Sequence, residues 1–142
     1  MTDALSWSLQ KAIYQQLAGD DAITALIGDP PRLYDAPPRD VAFPYLVLGE
    51  TRVRDWPGVE GGLDHDIRLR AWSRHQGRRE IKRLLNVVYD ALHERPLALE
   101  GQRLVHLRFV FADIFPRAEN GVFQGVARFR ALTQPEPITQ GA

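Results

Sequence analysis

Between Leu63 and Ala71 the chain alternates with a period of two. Leu63, Ile67, Leu69 and Ala71 fall on one side of an extended backbone, and Asp64, Asp66, Arg68 and Arg70 on the other. Successive side chains of a strand point to opposite faces, whereas a helix would scatter these charges around its circumference. A strand with one apolar and one ionic face belongs to an antiparallel sheet that is covered on one side, because parallel strands buried on both faces read as continuous apolar runs. The chain must therefore supply antiparallel partners for this strand and a layer to cover its apolar face.

Both are legible. Tyr45 to Leu48 is apolar on both faces, after which Glu50, Arg52 and Arg54 alternate with Thr51 and Val53. The loop DWPGVEGG then joins this strand to the next as a hairpin with a long tip. A second hairpin turns at AENG, residues 118–121. A two-residue Asn120-Gly121 turn would set Arg130 opposite Phe111 and mix the faces. A type I turn with Gly121 in the left-handed bulge position instead pairs Phe111 with Phe129 and Phe109 with Ala131, gathering the apolar residues on one face.

The covering layer is helical. Leu5, Leu9, Ala12, Ile13 and Leu17 recur at three- and four-residue spacing, with Ser6 or Thr2 as cap and a stop near Gly19. Asp20 or Asp21 caps a short second helix through Ala22, Ile23, Leu26 and Ile27, closed by Gly28 and then Pro30 and Pro31. Ile81, Leu84, Leu85, Val88 and Leu92 define a third helix from Gln76 to His93, with Arg78, Arg79, Arg83 and Asp90 on its wet side and Pro96 beyond its end. The order α-α-β-β-α-β-β predicts an α+β fold, an antiparallel sheet of about four main strands with helices packed on one face. Residues 1–133 are expected to form a single domain and 134–142, QPEPITQGA, a flexible or docking C-terminal arm.

The totals narrow the function classes. A chain of 142 residues with 44% hydrophobic content fits one core. Its 18 cationic and 18 acidic residues balance, so no global field gathers nucleic acid. Absence of cysteine excludes thiolate nucleophiles, disulfides and Cys-ligated zinc. The opening MTDALSWSLQKAIYQQL lacks a basic stretch followed by an apolar core, which predicts a protein that stays in the cytosol where it is made. Ser6, Ser8 and Ser73 are the only serines and none lies in a nucleophile elbow. Gly58, Gly61 and Gly62 lead into a strand and lack a following Lys-Ser or Lys-Thr, so they are hairpin-tip glycines and not a phosphate loop. His65, His75, His93 and His106 are scattered, and His65 points away from the face that carries Asp64 and Asp66, so no metal shell assembles and no cofactor is expected. Asp64 and Asp66 form an acid–base pair in one reading and ion-pair partners of the surrounding arginines in the other.

The positive signal is arginine. Sixteen of the eighteen cations are Arg, with only Lys11 and Lys82 as Lys. Arg offers a planar fork of donors that pairs carboxylates bidentately and tolerates burial at contacts. Alternation puts Arg52, Arg54, Arg68, Arg70, Arg108, Arg128 and Arg130 on the sheet face away from the helices, against Glu50, Asp64 and Asp66. Such a face is a solvated surface, a subunit contact or a nucleic-acid contact. The last is disfavoured by the acids and by the lack of interleaved aromatics for stacking. Trp56, at the tip of the first hairpin, is an interface anchor or folds back on its own hairpin.

The ordered set of LQKAIYQQLAGDDAITALIG, RLYDAPPRDVAFPYLVLGE, RDW in a glycine-bearing loop, HDIRLRAWSRHQGRREIKRLLNVVYDALHERPLAL and a hairpin ending GVARFRALTQ resembles the tail-completion or tail-terminator proteins of long-tailed phages and of gene transfer agents. The resemblance runs from Leu5 to Thr133. Its most specific parts are the segment from Tyr34-Asp35-Ala36-Pro37 to Pro44-Tyr45, and Trp72-Ser73 followed by a Gly-bearing helix start. It implies a non-enzymatic virion assembly protein, a homo-hexameric ring that caps the head-proximal end of the tail tube, stops its polymerisation and offers the head-to-tail joining surface. It implies contacts with the tube protein and with a head-completion or connector protein, DNA passing through the lumen without sequence-specific binding, and no membrane. It also implies assembly in the host cytoplasm and residence in the mature virion.

Proline fixes φ near −65° and gives up a donor, so Pro30, Pro31, Pro37, Pro38 and Pro44 stiffen the crossover between helices and sheet, which suits a ring contact. The expected interface set is Tyr34, Asp35, Pro37, Pro38, Arg52, Arg54, Trp56, Arg68, Arg70, Arg128 and Arg130. The competing assignments are a head-completion or tail-tube subunit, or a small-ligand or enzymatic domain using Asp64, Asp66 and His106.

Overall fold

The computed structural model describes residues 2–74, 77–117 and 121–136. Helices α1 (Thr2–Ala18) and α2 (Asp21–Ile27) precede strands β1 (Leu33–Tyr34), β2 (Tyr45–Asp55) and β3 (Leu63–Ser73). Helix α3 (Gly77–Leu92) and strands β4 (Gln102–Pro116) and β5 (Phe123–Pro135) follow. Gln76 and His75, at the expected start of the third helix, lie outside the described residues.

The local signals act as their chemistry requires. Asp20 caps α2 by accepting from the Ile23 N–H at 3.0 Å, filling one of the orphan donors of the first turn. The buried hydroxyl of Ser73 donates to Glu80 Oε1 at 2.5 Å, tying the end of β3 to the first turn of α3. On α1, Leu9, Ala12, Ile13 and Leu17 are buried, and on α3 Ile81, Leu84, Leu85, Val88, Ala91 and Leu92. These stripes meet Leu46, Ile67, Leu69, Ala71, Leu107, Ala127, Phe129 and Ala131 of the sheet in one core. Each fully buried Leu or Ile contributes about 1.5–3 kcal/mol of transfer free energy. At Gly125 the helix layer approaches so closely that a Cβ would lie 2.9 Å from Leu85 Cδ1.

The sheet order is β1-β2-β3-β5-β4, with β2-β3, β3-β5 and β5-β4 antiparallel and β1 parallel to β2. The α+β class and the single helical layer agree with the sequence, but the sheet is mixed and has five strands. The extra strand is the start of the proline crossover. Leu33 is buried, and Arg32 C=O accepts from the Leu46 N–H at 2.9 Å. Two residues are too few to show a period, so only their tertiary pairing reveals them.

The second hairpin corrects the expected register. Phe129 faces Phe109 and Ala131 faces Leu107, while Phe111 faces Arg128. Irregularities between Leu104 and His106 and between Phe109 and Phe111 each add a residue to β4. The one at Val110 lets Phe109 meet the fully buried Phe129 edge to face at 5.7 Å and turns Phe111 onto the opposite face. The expectation of one unbroken apolar face therefore fails for Phe111. Residues 118–120 of the turn lie outside the described residues, and Gly121 has φ +76°, the left-handed conformation assigned to it. Strand β5 runs through Gln134 and Pro135, paired with Arg103 and Gln102, so the sheet extends two residues past Thr133. Residues 137–142 of the expected arm lie outside the described residues.

Candidate functional site

The register places Arg52, Arg54, Arg68, Arg70, Arg108, Arg128 and Arg130 together on the face away from the helices. Across the strands one row reads Arg52, Asp66, Arg130, Arg108, and the row above it Arg54, Asp64, Leu132, His106. The hydrogen bonds of Asp64 and Asp66 run diagonally, and Asp64 also has its direct partner Arg54 at 3.7 Å. Arg128 grips Asp66 with Nε–Oδ1 at 2.8 Å and Nη2–Oδ2 at 2.7 Å, and Arg130 grips Asp64 at 3.0 and 2.7 Å. Arg70 Nη2 donates to both oxygens of Glu50 at 2.8 and 2.9 Å. Arg68 and Arg128 are direct cross-strand partners, a like-charge pair that would cost stability alone. Asp66 on Arg128, and Glu50 at 4.0 Å from Arg68, relieve it.

These forks decide what the carboxylates can do. The hydrogen bond from Arg130 holds the Asp64 carboxyl below its ordinary range against the opposing effect of burial, with the charges of Arg130, Arg54 and His65 adding to it. Arg70 does the same for Glu50, chiefly through its hydrogen bond. A carboxylate held ionised by a bidentate guanidinium is a poor proton carrier at neutral pH. His106 is two strands away from Asp64, about 9–10 Å at ordinary strand spacing. The set Asp64, Asp66 and His106 thus comes to one face but not to one reaction centre. His65 points into the core as expected. Its Nε2 meets Thr133 Oγ1 at 2.9 Å, Nδ1 has no hydrogen-bond partner among the described residues, and burial pushes its pKa down to about 4. No group of three or more metal-ligating side chains occurs among the described residues.

The proline crossover is fixed at its ends and projects in its middle. Tyr34 packs edge-on to Tyr45 at 6.2 Å, and Arg32 Nε donates to Pro44 C=O at 2.9 Å. Between them residues 35–40, including Pro37 and Pro38, are exposed, with Asp35 accepting from Gln10 Nε2 at 2.9 Å. Trp56 is half-buried and folds back on its hairpin, its ring so close to Gly62 that a Cβ there would meet Trp56 Cε3 at 3.0 Å.

Sequence reasoning missed several aromatic groups. Phe111, 39% exposed, lies beneath the Arg128 guanidinium at 5.7 Å, so this face does carry an aromatic among its cations. Tyr45 stacks on Trp72 at 6.1 Å, and Arg117 lies over Trp72 at 5.7 Å, forming an aromatic end to the same face. Trp7 and Tyr14, seven residues apart on the outer side of α1, are 55% and 40% exposed. That spacing was visible, but only the packing shows that nothing among the described residues covers them.

Residues 11–134 match the tail completion protein gp17 family. No curated protein matches the chain significantly. A chain from the virion of a native gene transfer agent particle superposes with a TM-score of 0.83 at 33% identity, over 92% of this chain and 97% of that chain. A second solved structure, at 10% identity and a TM-score of 0.56 over 99% of both chains, shares the fold alone. The family match runs from the second half of α1 through α2, the crossover, α3 and all five strands, in accord with a face built from ion pairs and not from a reaction centre. This chain therefore belongs to the tail completion protein gp17 family, and its role is structural, in the assembly of a phage-type tail, not enzymatic.

Proposed function

We propose that the protein closes into a hexameric ring at the head-proximal end of a tail tube, stops the addition of tube subunits and presents the surface on which the head-completion or connector protein docks. DNA passes through its lumen without sequence-specific contact. Assembly takes place in the host cytoplasm, and the ring stays in the mature virion. The observation that carries this proposal is the near full-length likeness to a chain of a gene transfer agent virion, at 33% identity and with 97% of that chain covered. Two features of the surface support it. The exposed Asp35–Asp40 segment is braced near its ends by the Arg32–Pro44 and Gln10–Asp35 hydrogen bonds, and Pro37 and Pro38 restrict its backbone, which lowers the conformational entropy to be lost on contact. The Arg face offers Arg52, Arg54 and Arg68 as cations not held in a bidentate pair, suited to acidic groups of neighbouring subunits. Tyr34, Asp35, Pro37, Pro38, Arg52, Arg54, Trp56, Arg68, Arg70, Arg128 and Arg130 are the proposed contact set.

Light scattering and negative-stain imaging of the purified protein, alone and with tail tubes, test the proposal. Sixfold rings that do not elongate support it. Long tubes from this chain alone would make it a tube subunit, and particles lacking it at the capsid–tail junction would refute the assignment.

A further inference from the structure

The edges of a sheet expose unpaired N–H and C=O groups and serve as templates for another chain. β1 covers β2 only at Leu46 and Val47, so from Leu48 to Asp55 the outer edge of β2 has no strand partner among the described residues. On the opposite side of the sheet the chain covers the first half of β4. Glu94 N–H donates to Leu107 C=O at 2.7 Å, Phe109 N–H donates to His93 Nδ1 at 3.0 Å, and Ala98 bridges to Arg103. Beyond Phe109 the outer edge of β4, Val110–Pro116, has no such cover among the described residues. There Val110 and Phe111 are 47% and 39% exposed.

We propose that the Val110–Pro116 edge of β4 pairs antiparallel with the Leu48–Asp55 edge of β2 in the next copy, so that one sheet continues from subunit to subunit. This rests on the ring proposed above and names its contact. Strand polarity favours it. From β2 through β3 and β5 to β4 every pairing is antiparallel, so β4 runs opposite to β2. A copy related by rotation about a ring axis brings its β2 to that edge in the sense that continues the alternation. Charge favours it too. Asp113, exposed and aligned through Val126 with Arg70 of the Arg face, has no cationic partner among the described residues, and Arg52 has no acidic one. Joining the edges sets this acid beside Arg52 and Arg54, the latter only loosely held at 3.7 Å from Asp64. The open stretches lie toward opposite ends of the strands, so the next copy must shift along the strand direction, the stagger that a closed sheet requires. A twofold pairing of two β4 edges over Val110–Pro116 would instead place Asp113 opposite Asp113, a repulsive pair, and would stop at a dimer.

The chain has no cysteine, so introduced thiols report contacts directly. Asp113→Cys, Arg52→Cys and Arg54→Cys are made singly, and each Arg variant is also combined with Asp113→Cys in one chain. The oligomer, free or assembled on tail tubes, is oxidised with copper phenanthroline and resolved without reductant. A 1:1 mixture of Asp113→Cys with one of the Arg variants is expected to give a covalent dimer, and the combined chain a ladder ending at the closed ring, with no product from Asp113→Cys alone. In parallel, Asp113→Lys should weaken association at least tenfold, and Arg52→Glu in the same chain should restore it. A self-crosslink of Asp113→Cys overturns the proposal in favour of twofold pairing. Rings visible by microscopy without any β2–β4 crosslink overturn the edge contact and leave the ring standing. Monomers alone, both free and with tubes, overturn both.

Discussion

His65 gives the sharpest test of the core. Its ring is fully buried, is bonded at one nitrogen to Thr133 and has no partner at the other. Charging it would require a buried cation, so burial lowers its pKa from 6.5 to about 4, against the weaker opposing pull of Asp64. Between those values the unfolded chain binds a proton that the folded chain refuses, so stability falls as pH falls through this window. The full gap corresponds to roughly 3.4 kcal/mol, and the part realised between pH 7.5 and 5.5 is about 1.3 kcal/mol. The ordinary carboxylate range lies below pH 5.5, which leaves Asp64 and Glu50 little share in that interval. Urea unfolding at the two pH values should therefore show a drop of about that size, against a total stability on the order of 5–15 kcal/mol. His65→Gln, which retains an amide for Thr133, should remove this part of the pH dependence. If the variant does not fold, an NMR titration of the wild-type ring gives the same information. Equal stability at both pH values, or a His65 resonance titrating near pH 6.5, would refute the reasoning.

Phe129→Ala, at the fully buried centre of the sheet, should cost about 3–5 kcal/mol, read as a lower urea midpoint with far-UV spectra retained where the variant folds. Arg130→Ala should raise the Asp64 carboxyl toward its usual range. The depressed folded value supplies stability above the unfolded carboxylate pKa that is lost as pH falls through the folded one, so acid unfolding of the variant should depend less on Asp64. An unchanged Asp64 carbon shift on titration of that variant would contradict the fork. Replacing Pro37 and Pro38 by glycine should cost no more than about 1 kcal/mol each, because neither is buried, yet should prevent rings. Normal rings by light scattering would remove the crossover from the contact set.

The sequence by itself determined the element types and the composition of the two sheet faces. Period-two alternation in Leu63–Ala71 and the helical stripes of α1 and α3 are local consequences of backbone geometry, so each predicts its own burial without knowledge of the rest. The pairing of Asp64 and Asp66 with arginines was likewise legible, since a face rich in guanidiniums and poor in acids leaves those acids few other partners. Only the tertiary structure decided which arginine each acid takes, because the bonds run diagonally between β3 and β5, residues more than sixty positions apart. It also decided the register of β4. The turn read from the sequence sets Phe111 opposite Phe129, and the irregularity at Val110 overturns that choice, fitting Phe109 against the core and sending Phe111 outward. β1 exists only because β2 lies beside it, and the open edges follow from where β1 and the 93–98 segment end. Local periodicity fixes how a segment buries itself, but register and edges depend on distant segments meeting, and no short window of sequence contains that meeting.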